Sequence, residues 1–419
     1  MVEPVKDGLF VFWKGRKILD FVLKAMLQLA VMVAAAKLAG ELAIRLGQPS
    51  VLGKLLAGVI VGPAVLGWVE SSHWVELFAE IGVLLLMFLA GMETDLKALN
   101  ENRASSLAVA TGGVVFPLLG GYGVGVWLGL DSGNALFLGL VLSATSVSIT
   151  VQTLRELGKL NTRESTTILG AAIADDIMAV IGLAVILGLV LAGDVNLLSV
   201  IGLMIAFTVA AILMVWKGIP FLLRLSSRLN VTEPVLGMAL ILVLLMAVAA
   251  EYSGMAGIIG SFAAGLAVSR TEYREKVERG VESIAFPLFV PVFFVSIGLH
   301  VSFDGIGGQW LTFVILSVLA VLTKLVGSGL GARLTGFNLK SSLVIGSGMV
   351  SRGEVALILA ALGLSGGYVP ADLYTTLILV IVLTTMAAPP MLKWTLREPK
   401  GAADGTGEVR NVRGGGTRN

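Results

Sequence analysis

Apolar runs recur along the chain at lengths that suit helices crossing a hydrocarbon layer, and each is closed by charged, glycine or proline positions. They predict thirteen spans, near residues 18–45, 50–68, 75–95, 104–130, 134–157, 164–192, 196–216, 232–250, 254–269, 281–299, 308–333, 338–363 and 372–396. The predicted fold class is therefore an all-α polytopic membrane protein. Polar positions between the runs sort by sign. One set of loops holds Arg45, Lys97 and Arg103, Arg155, Lys159 and Arg163, Lys217, Arg224 and Arg228, Arg270 to Arg279, Arg333 and Lys340, and Lys393 and Arg397. The alternating set holds Glu70, Asp131, Asp194, Glu251, Asp304 and Asp372, with no Lys or Arg. Basic loops mark the cytoplasmic face, so a multi-pass protein of the inner (plasma) membrane is expected, with its C-terminus inside and, for an odd count, its N-terminus outside. Lys14, Arg16 and Lys17 run against the rule at the first span.

Composition sharpens the class. Only 14% of the 419 residues are charged, against about 25% in soluble proteins, and 56% are hydrophobic, so one membrane-embedded body is expected in place of several soluble domains. A net charge of +2 gives no argument for a nucleic-acid partner; lipid is the expected surroundings. With no cysteine, disulfides, iron–sulfur clusters and thiolate metal sites are excluded. The first run has no visible cleavage site, so no removable signal peptide is expected. Residues 1–17 form an N-terminal segment, 18–397 the transmembrane part, and 398–419 a polar, Gly-rich tail expected to be disordered, with no soluble nucleotide-binding domain after the bundle.

Sliding the chain against itself by 207 residues pairs Gly53 with Gly260, Gly58 with Gly265, Gly91 with Gly298, Gly120 with Gly327, Gly129 with Gly336 and Gly139 with Gly346. The shift carries span 2 onto span 9, seven crossings later, and an odd number of crossings inverts orientation. Residues 18–192 and 232–396 are thus expected to be inverted repeats joined by a linker helix at 196–216, an arrangement of secondary transporters.

Span 6 carries the most specific chemistry: Asp175 and Asp176 lie side by side near the middle of TTILGAAIADDIMAVIGLAVILGLVL (166–191). An ionised acid at that depth costs about 2.5–3.5 kcal/mol on insertion scales, and a second adds repulsion, so the pair must be protonated, partnered or bound to a cation. Neighbours on a helix diverge by about 100°, leaving the two free to meet different partners. Lys324, in span 11, is roughly 13 Å along a helix from the basic end. It either snorkels or pairs with one carboxylate. Span 5 packs Ser143, Thr145, Ser146, Ser148 and Thr150 together, read either as ordinary helix packing or as a break whose oxygens face the acids. At the same shift Thr145 falls on Arg352, in the Gly-rich GSGMVSRGEVALIL of span 12, a second candidate break. Arg352 and Glu354 either neutralise half-helix ends or take part in the ion cycle. The alternative for the acids is a structural pair balanced by buried Lys and Arg. His73 and His300 sit at loop edges, where no ligand role is expected, and Glu80, Glu93 and Asp95 read as solvated span ends.

These stretches, QPSVLGKLLAGVIVGP (48–63), FLAGMETDL (88–96), SATSVSIT, GAAIADDI, LTKLVGSG and SRGEVALILA (351–360), resemble in content and order the cation:proton antiporter-2 family, and within it the NapA-type Na+/H+ antiporters. The resemblance implies a homodimer of thirteen-helix protomers with crossed broken helices and an elevator-like mobile core. It implies Asp176 as the principal Na+ ligand, Asp175 as the partner of Lys324, and Thr145 beside the ion, with Ser146 in the same break. It implies Na+ or Li+ exchanged for H+, electrogenically, in pH homeostasis, with no cofactor beyond the transported ions. A Kef-like K+/H+ antiporter is the nearest alternative, and a passive cation channel a further one. An intramembrane aspartyl protease needs acids converging from separate helices and a GxGD motif, neither of which occurs; Ser347 has no mid-membrane histidine for a serine type, so no enzyme is expected.

Overall fold

Hydrocarbon offers backbone N–H and C=O groups no partner, so a chain this apolar closes its hydrogen bonds within helices. The computed structural model describes residues 5–187, 197–302 and 308–397, and every regular element among them is helical. In chain order these are α1 (Val5–Arg45), α2 (Ser50–Val61), α3 (His73–Glu93), α4 (Leu96–Glu101), α5 (Arg103–Trp127), α6 (Ser132–Ser143), α7 (Val147–Glu156), α8 (Arg163–Val185) and α9 (Leu197–Leu213). There follow α10 (Ile219–Ser226), α11 (Pro234–Tyr252), α12 (Gly257–Val268), α13 (Arg274–Ile284), α14 (Val290–Leu299), α15 (Trp310–Leu334), α16 (Leu339–Gly348), α17 (Glu354–Ser365) and α18 (Ala371–Thr395). The tail at 398–419, and the loop positions Asp194 and Asp304, lie outside the described residues.

Ten helical stretches among the described residues are long and apolar enough to cross a bilayer, and three shorter apolar helices, Ser50–Val61, Gly257–Val268 and Val355–Ser365, coincide with expected spans 2, 9 and 12. Three boundaries differ from expectation. Helix α1 begins at Val5 and not near Ile18; span 7 runs on through a π turn, Met214–Gly218, into α10; and α13 starts at Arg274 ahead of a π turn at Ala285–Phe289. Charges such as Lys217 mark where polarity changes, while the backbone stays helical as long as those side chains reach outward.

The helices pack as two bundles. The first contains α1, α2, α3 and α10 to α14; the second contains α5 to α8 and α15 to α18; α4 and α9 connect them, and the bundles meet chiefly where α7 packs on α2 and α3 and where α18 packs on α2. Helices inside each bundle approach closely where glycine removes the side chain. A Cβ added at Gly53 would lie 2.1 Å from the Ala39 carbonyl oxygen, and one at Gly260 would lie 2.0 Å from that of Met246. Gly58 abuts Val295 as Gly265 abuts Phe88; Gly91 abuts Phe262 as Gly298 abuts Leu55; Gly139 abuts Leu118 as Gly346 abuts Leu325. In every case the abutting residues are themselves 207 positions apart. Large apolar side chains such as Leu38, Leu119, Leu245 and Leu322 stay exposed on the outside, where lipid accommodates them.

Candidate functional site

The second bundle is built around two interrupted helices. The first break separates α6 from α7: Ala144 and Ser146 take extended backbone angles, where a helix run of Ser and Thr has side chains able to satisfy opened backbone groups. The second separates α16 from α17 over residues 349–353. The breaks meet and are tied by hydrogen bonds. Ser146 N–H donates to the Ser351 carbonyl at 2.8 Å, the Ser351 hydroxyl donates back to the Ser146 carbonyl at 2.7 Å, and Thr150 Oγ1 donates to the Gly348 carbonyl at 2.6 Å. Gly353 lets the two breaks approach closely there, since an added Cβ would lie 2.6 Å from Ser146 Oγ and push that side chain aside.

Arg352 is wholly buried in this junction. Its guanidinium donates to the Leu142 carbonyl through Nε at 3.0 Å and Nη2 at 2.6 Å, and to the Ala320 carbonyl at 2.9 Å. Leu142 lies in the last turn of α6, so a fixed positive charge answers the negative end of that half-helix and its orphan carbonyls. Of the two roles open to Arg352 on sequence, this geometry displays the charge-compensating one. Glu354 opens α17 at the matching N-terminal end, and its side chain lies outside the described residues.

Beside the breaks, α8 carries Asp175 (1% exposed) and Asp176 (4%), and α15 carries Lys324 (0%). Lys324 Nζ stands 3.1 Å from Asp175 Oδ2, so the lysine pairs and does not snorkel. Thr145 bridges them: its hydroxyl donates to the same Asp175 oxygen and accepts from Lys324 Nζ. Asp175 Oδ1 is buried with no hydrogen-bond partner among the described residues. Ser146 is brought into the break, yet its hydroxyl faces Ser148 Oγ at 3.3 Å and its main chain serves the other break.

Asp176 points elsewhere, as adjacent helical positions must. It lines a cavity of about 10 Å³, room for about one water, between α8 and α12. Ile173, Ile259 and Phe262 form its wall and also line an apolar cavity of about 250 Å³ reaching α9. That cavity in turn shares Val215 and Trp216 with a polar funnel of about 850 Å³ edged by Glu93, Asp95, Lys97 and Arg270. Three separate spaces thus lie in series between the face with the basic loops and Asp176, the inner two divided by an apolar wall of three side chains.

One group of charges escaped the sequence reading. Glu93, expected as a solvated span end, is half-buried and pairs with Arg155, which also binds Glu282 at 2.6 Å. With Glu278 these carboxylates lie within 4.8 Å of one another, and the Arg155 guanidinium already sits among them. Only the juxtaposition of opposite charges at Arg155 and Glu156 hinted at it.

Comparison with known proteins bears on this geometry. The family described as "Sodium/hydrogen exchanger, transmembrane" matches residues 30–398. The chain belongs to the sodium/hydrogen exchanger family. It is 56% identical to the Na(+)/H(+)-K(+) antiporter GerN of Bacillus cereus over 368 residues, 88% of this chain and 95% of that one. It is 38% identical to a Na(+)/H(+) antiporter of Enterococcus hirae, covering 87% and 96%. Among solved structures, the sodium proton antiporter MjNhaP1 of Methanocaldococcus jannaschii aligns with a TM-score of 0.67 at 18% identity, over 88% of this chain and 96% of that one, a likeness of fold. This sodium/hydrogen exchanger family member is a multi-pass membrane protein of a transporter family, with an acidic pair at the centre of its bundle.

Proposed function

We propose that the chain is a secondary active antiporter that exchanges Na+ or Li+ for H+, and that it is a transporter with no enzymatic step. One observation carries the reading: of two adjacent buried carboxylates, Asp175 is engaged by Lys324 and Thr145, while Asp176 lines the innermost of the cavities that lead to one face. Carboxylate and hydroxyl oxygens are the hard ligands that Na+ and Li+ require. A proton and a cation compete for Asp176, because burial and the neighbouring acid penalise the bare charge. The site loaded with either can pass between faces, and the empty charged site passes poorly. Exchange is the consequence. Electrogenic turnover follows where the Lys324–Asp175 pair gives up a second proton as one Na+ binds. The movement is elevator-like, the second bundle sliding against the first; the symmetric glycine contacts of two inverted repeats, which lie inside the bundles and not between them, support it. The working unit is a homodimer in the inner membrane, N-terminus outside and C-terminus cytoplasmic, with lipid around it.

K+ is a second reading for the cation, favoured by the 56%-identical GerN, whose name, Na(+)/H(+)-K(+) antiporter, carries both ions. Purified protein in liposomes, assayed by a pH-sensitive dye with Na+, Li+ and K+ in turn, tests both. Na+-dependent dequenching is expected for the wild type and none for Asp176→Asn; exchange by the variant at the wild-type rate would overturn the assignment.

A further inference from the structure

Among the described residues, the side-chain ion pairs between the bundles cluster at one end of α7, a helix of the second bundle; Lys393 on α18 adds a hydrogen bond to the Gly47 carbonyl ahead of α2. Arg155 reaches Glu93 on α3 and Glu282 on α13, and its guanidinium lies 4.7 Å over the Phe286 ring; all three partners belong to the first bundle or the turn leading out of α13. Glu156 does the complementary work. One of its carboxylate oxygens accepts from the Ser50 N–H at 2.7 Å, and the other accepts from the Ser50 hydroxyl and from Lys54 Nζ at 3.4 Å. Helix α2 has no cap of its own, because Pro49 precedes it and offers no side-chain acceptor. Its N-terminal amides are therefore satisfied from across the bundle boundary, by an acid placed where the helix end favours negative charge.

The inverted pattern has no such device at its other end. At the 207-residue shift Arg155 and Glu156 fall on Leu362 and Gly363, Glu93 falls on His300, and Ser50 falls on Gly257. The Gly257 N–H is capped by Glu251 at 2.6 Å, and both belong to the first bundle. Charged ties between the bundles thus accompany the orientation in which the funnel opens on the basic-loop face, and the symmetry-related positions supply none for the reverse orientation. We infer that Arg155 and Glu156 are positioning residues that latch the second bundle to the first in the orientation seen here, and that they must release it in each transport cycle. This rests on the elevator reading above.

The chain contains no cysteine, so introduced thiols report cleanly. A thiol at Ala211, which lines the apolar cavity, is labelled from the basic-loop face by an impermeant maleimide only while that face is open. Glu156→Gln and Arg155→Gln should each slow this labelling about threefold or more, and raise the apparent KM for Na+ on that face while lowering it on the other; Glu156→Asp should recover most of both. If either variant fails to fold, Lys54→Met and Glu282→Gln remove the same ties from the first bundle and must shift labelling in the same direction. Unchanged labelling and an unchanged KM ratio in all of them would overturn the latch. A cysteine pair at Ser50 and Glu156, joined through two disulfides by a short bis-methanethiosulfonate, separates the two ideas. Exchange should stop on cross-linking and return on reduction. Cross-linked protein that exchanges at full rate means the bundles do not move, and the elevator reading itself fails, whereas blocked exchange with unshifted variants leaves the elevator and removes only the latch.

Discussion

At the scale of single residues, the centre holds two acids and two bases with divided labour. Arg352 is committed to the Leu142 carbonyl at the end of α6 and the Ala320 carbonyl of α15, and Lys324 to Asp175 and Thr145. Replacing Arg352 by Met leaves buried carbonyls without donors, at about 1–3 kcal/mol for a lost partner, so the detergent-solubilised protein should melt several degrees lower with or without Na+. A melting temperature equal to that of the wild type would remove the role in helix-end compensation. Lys324→Gln frees Asp175 from its cation, and the current per turnover or its pH profile in liposomes should change; no change in either would strip Lys324 of its part in the cycle. Much of this was legible in the chain, because a carboxylate at mid-span is costly enough to demand a partner, and Lys324 was the lysine at comparable depth. The resemblance implied Thr145 only as a neighbour of the ion, and its bridge between Asp175 and Lys324 came with the structure. Which way Ser146 turns was not legible, since a hydroxyl in a break can serve side chain or main chain equally well, and Glu93 was misread because a charge at a span end looks the same in solvent as in an ion pair.

At the scale of elements, the fold depends on where helices touch through glycine. Gly91 and Gly265 face each other across α3 and α12 so closely that a Cβ at Gly91 would stand 2.2 Å from the Phe262 carbonyl oxygen. Gly91→Ala should destabilise by about 1–3 kcal/mol, the usual cost of overpacking, whereas Gly123→Ala, with nothing within 4 Å of the added atom, should be neutral or mildly stabilising. Thermal melts of the two variants compare them directly; equal effects would mean that the close approaches are not what holds the bundles. The glycine periodicity could be seen in sequence, but not which carbonyl each glycine meets. The helix ends were read less well. Hydropathy tracks where side chains leave the apolar layer, and the backbone of α1, of α9 with its π turn, and of α13 stays helical beyond that point.

For the whole molecule, the account is a competition between a proton and a metal cation for one buried carboxylate, placed in a bundle that rides against another. Acidification should raise the apparent KM for Na+ with little change in maximal rate, because protons occupy the oxygens that the cation needs; dye-based rates at several pH values read this, and a KM that is flat with pH would argue for separate sites. The expected crossings follow from the apolar runs, and the expected cytoplasmic side from the sign of the loops between them, whereas the series of cavities between Asp176 and the basic-loop face needed the packing of α8, α9 and α12, which no local pattern encodes. The most direct measurement is proton release on binding: Na+ added to purified protein in weakly buffered detergent solution, with pH followed by a dye. The wild type should release about one proton or more for each Na+ bound, and Asp176→Asn should release none. Na+ binding without proton release, or an undiminished release from the variant, would contradict the shared carboxylate on which exchange depends.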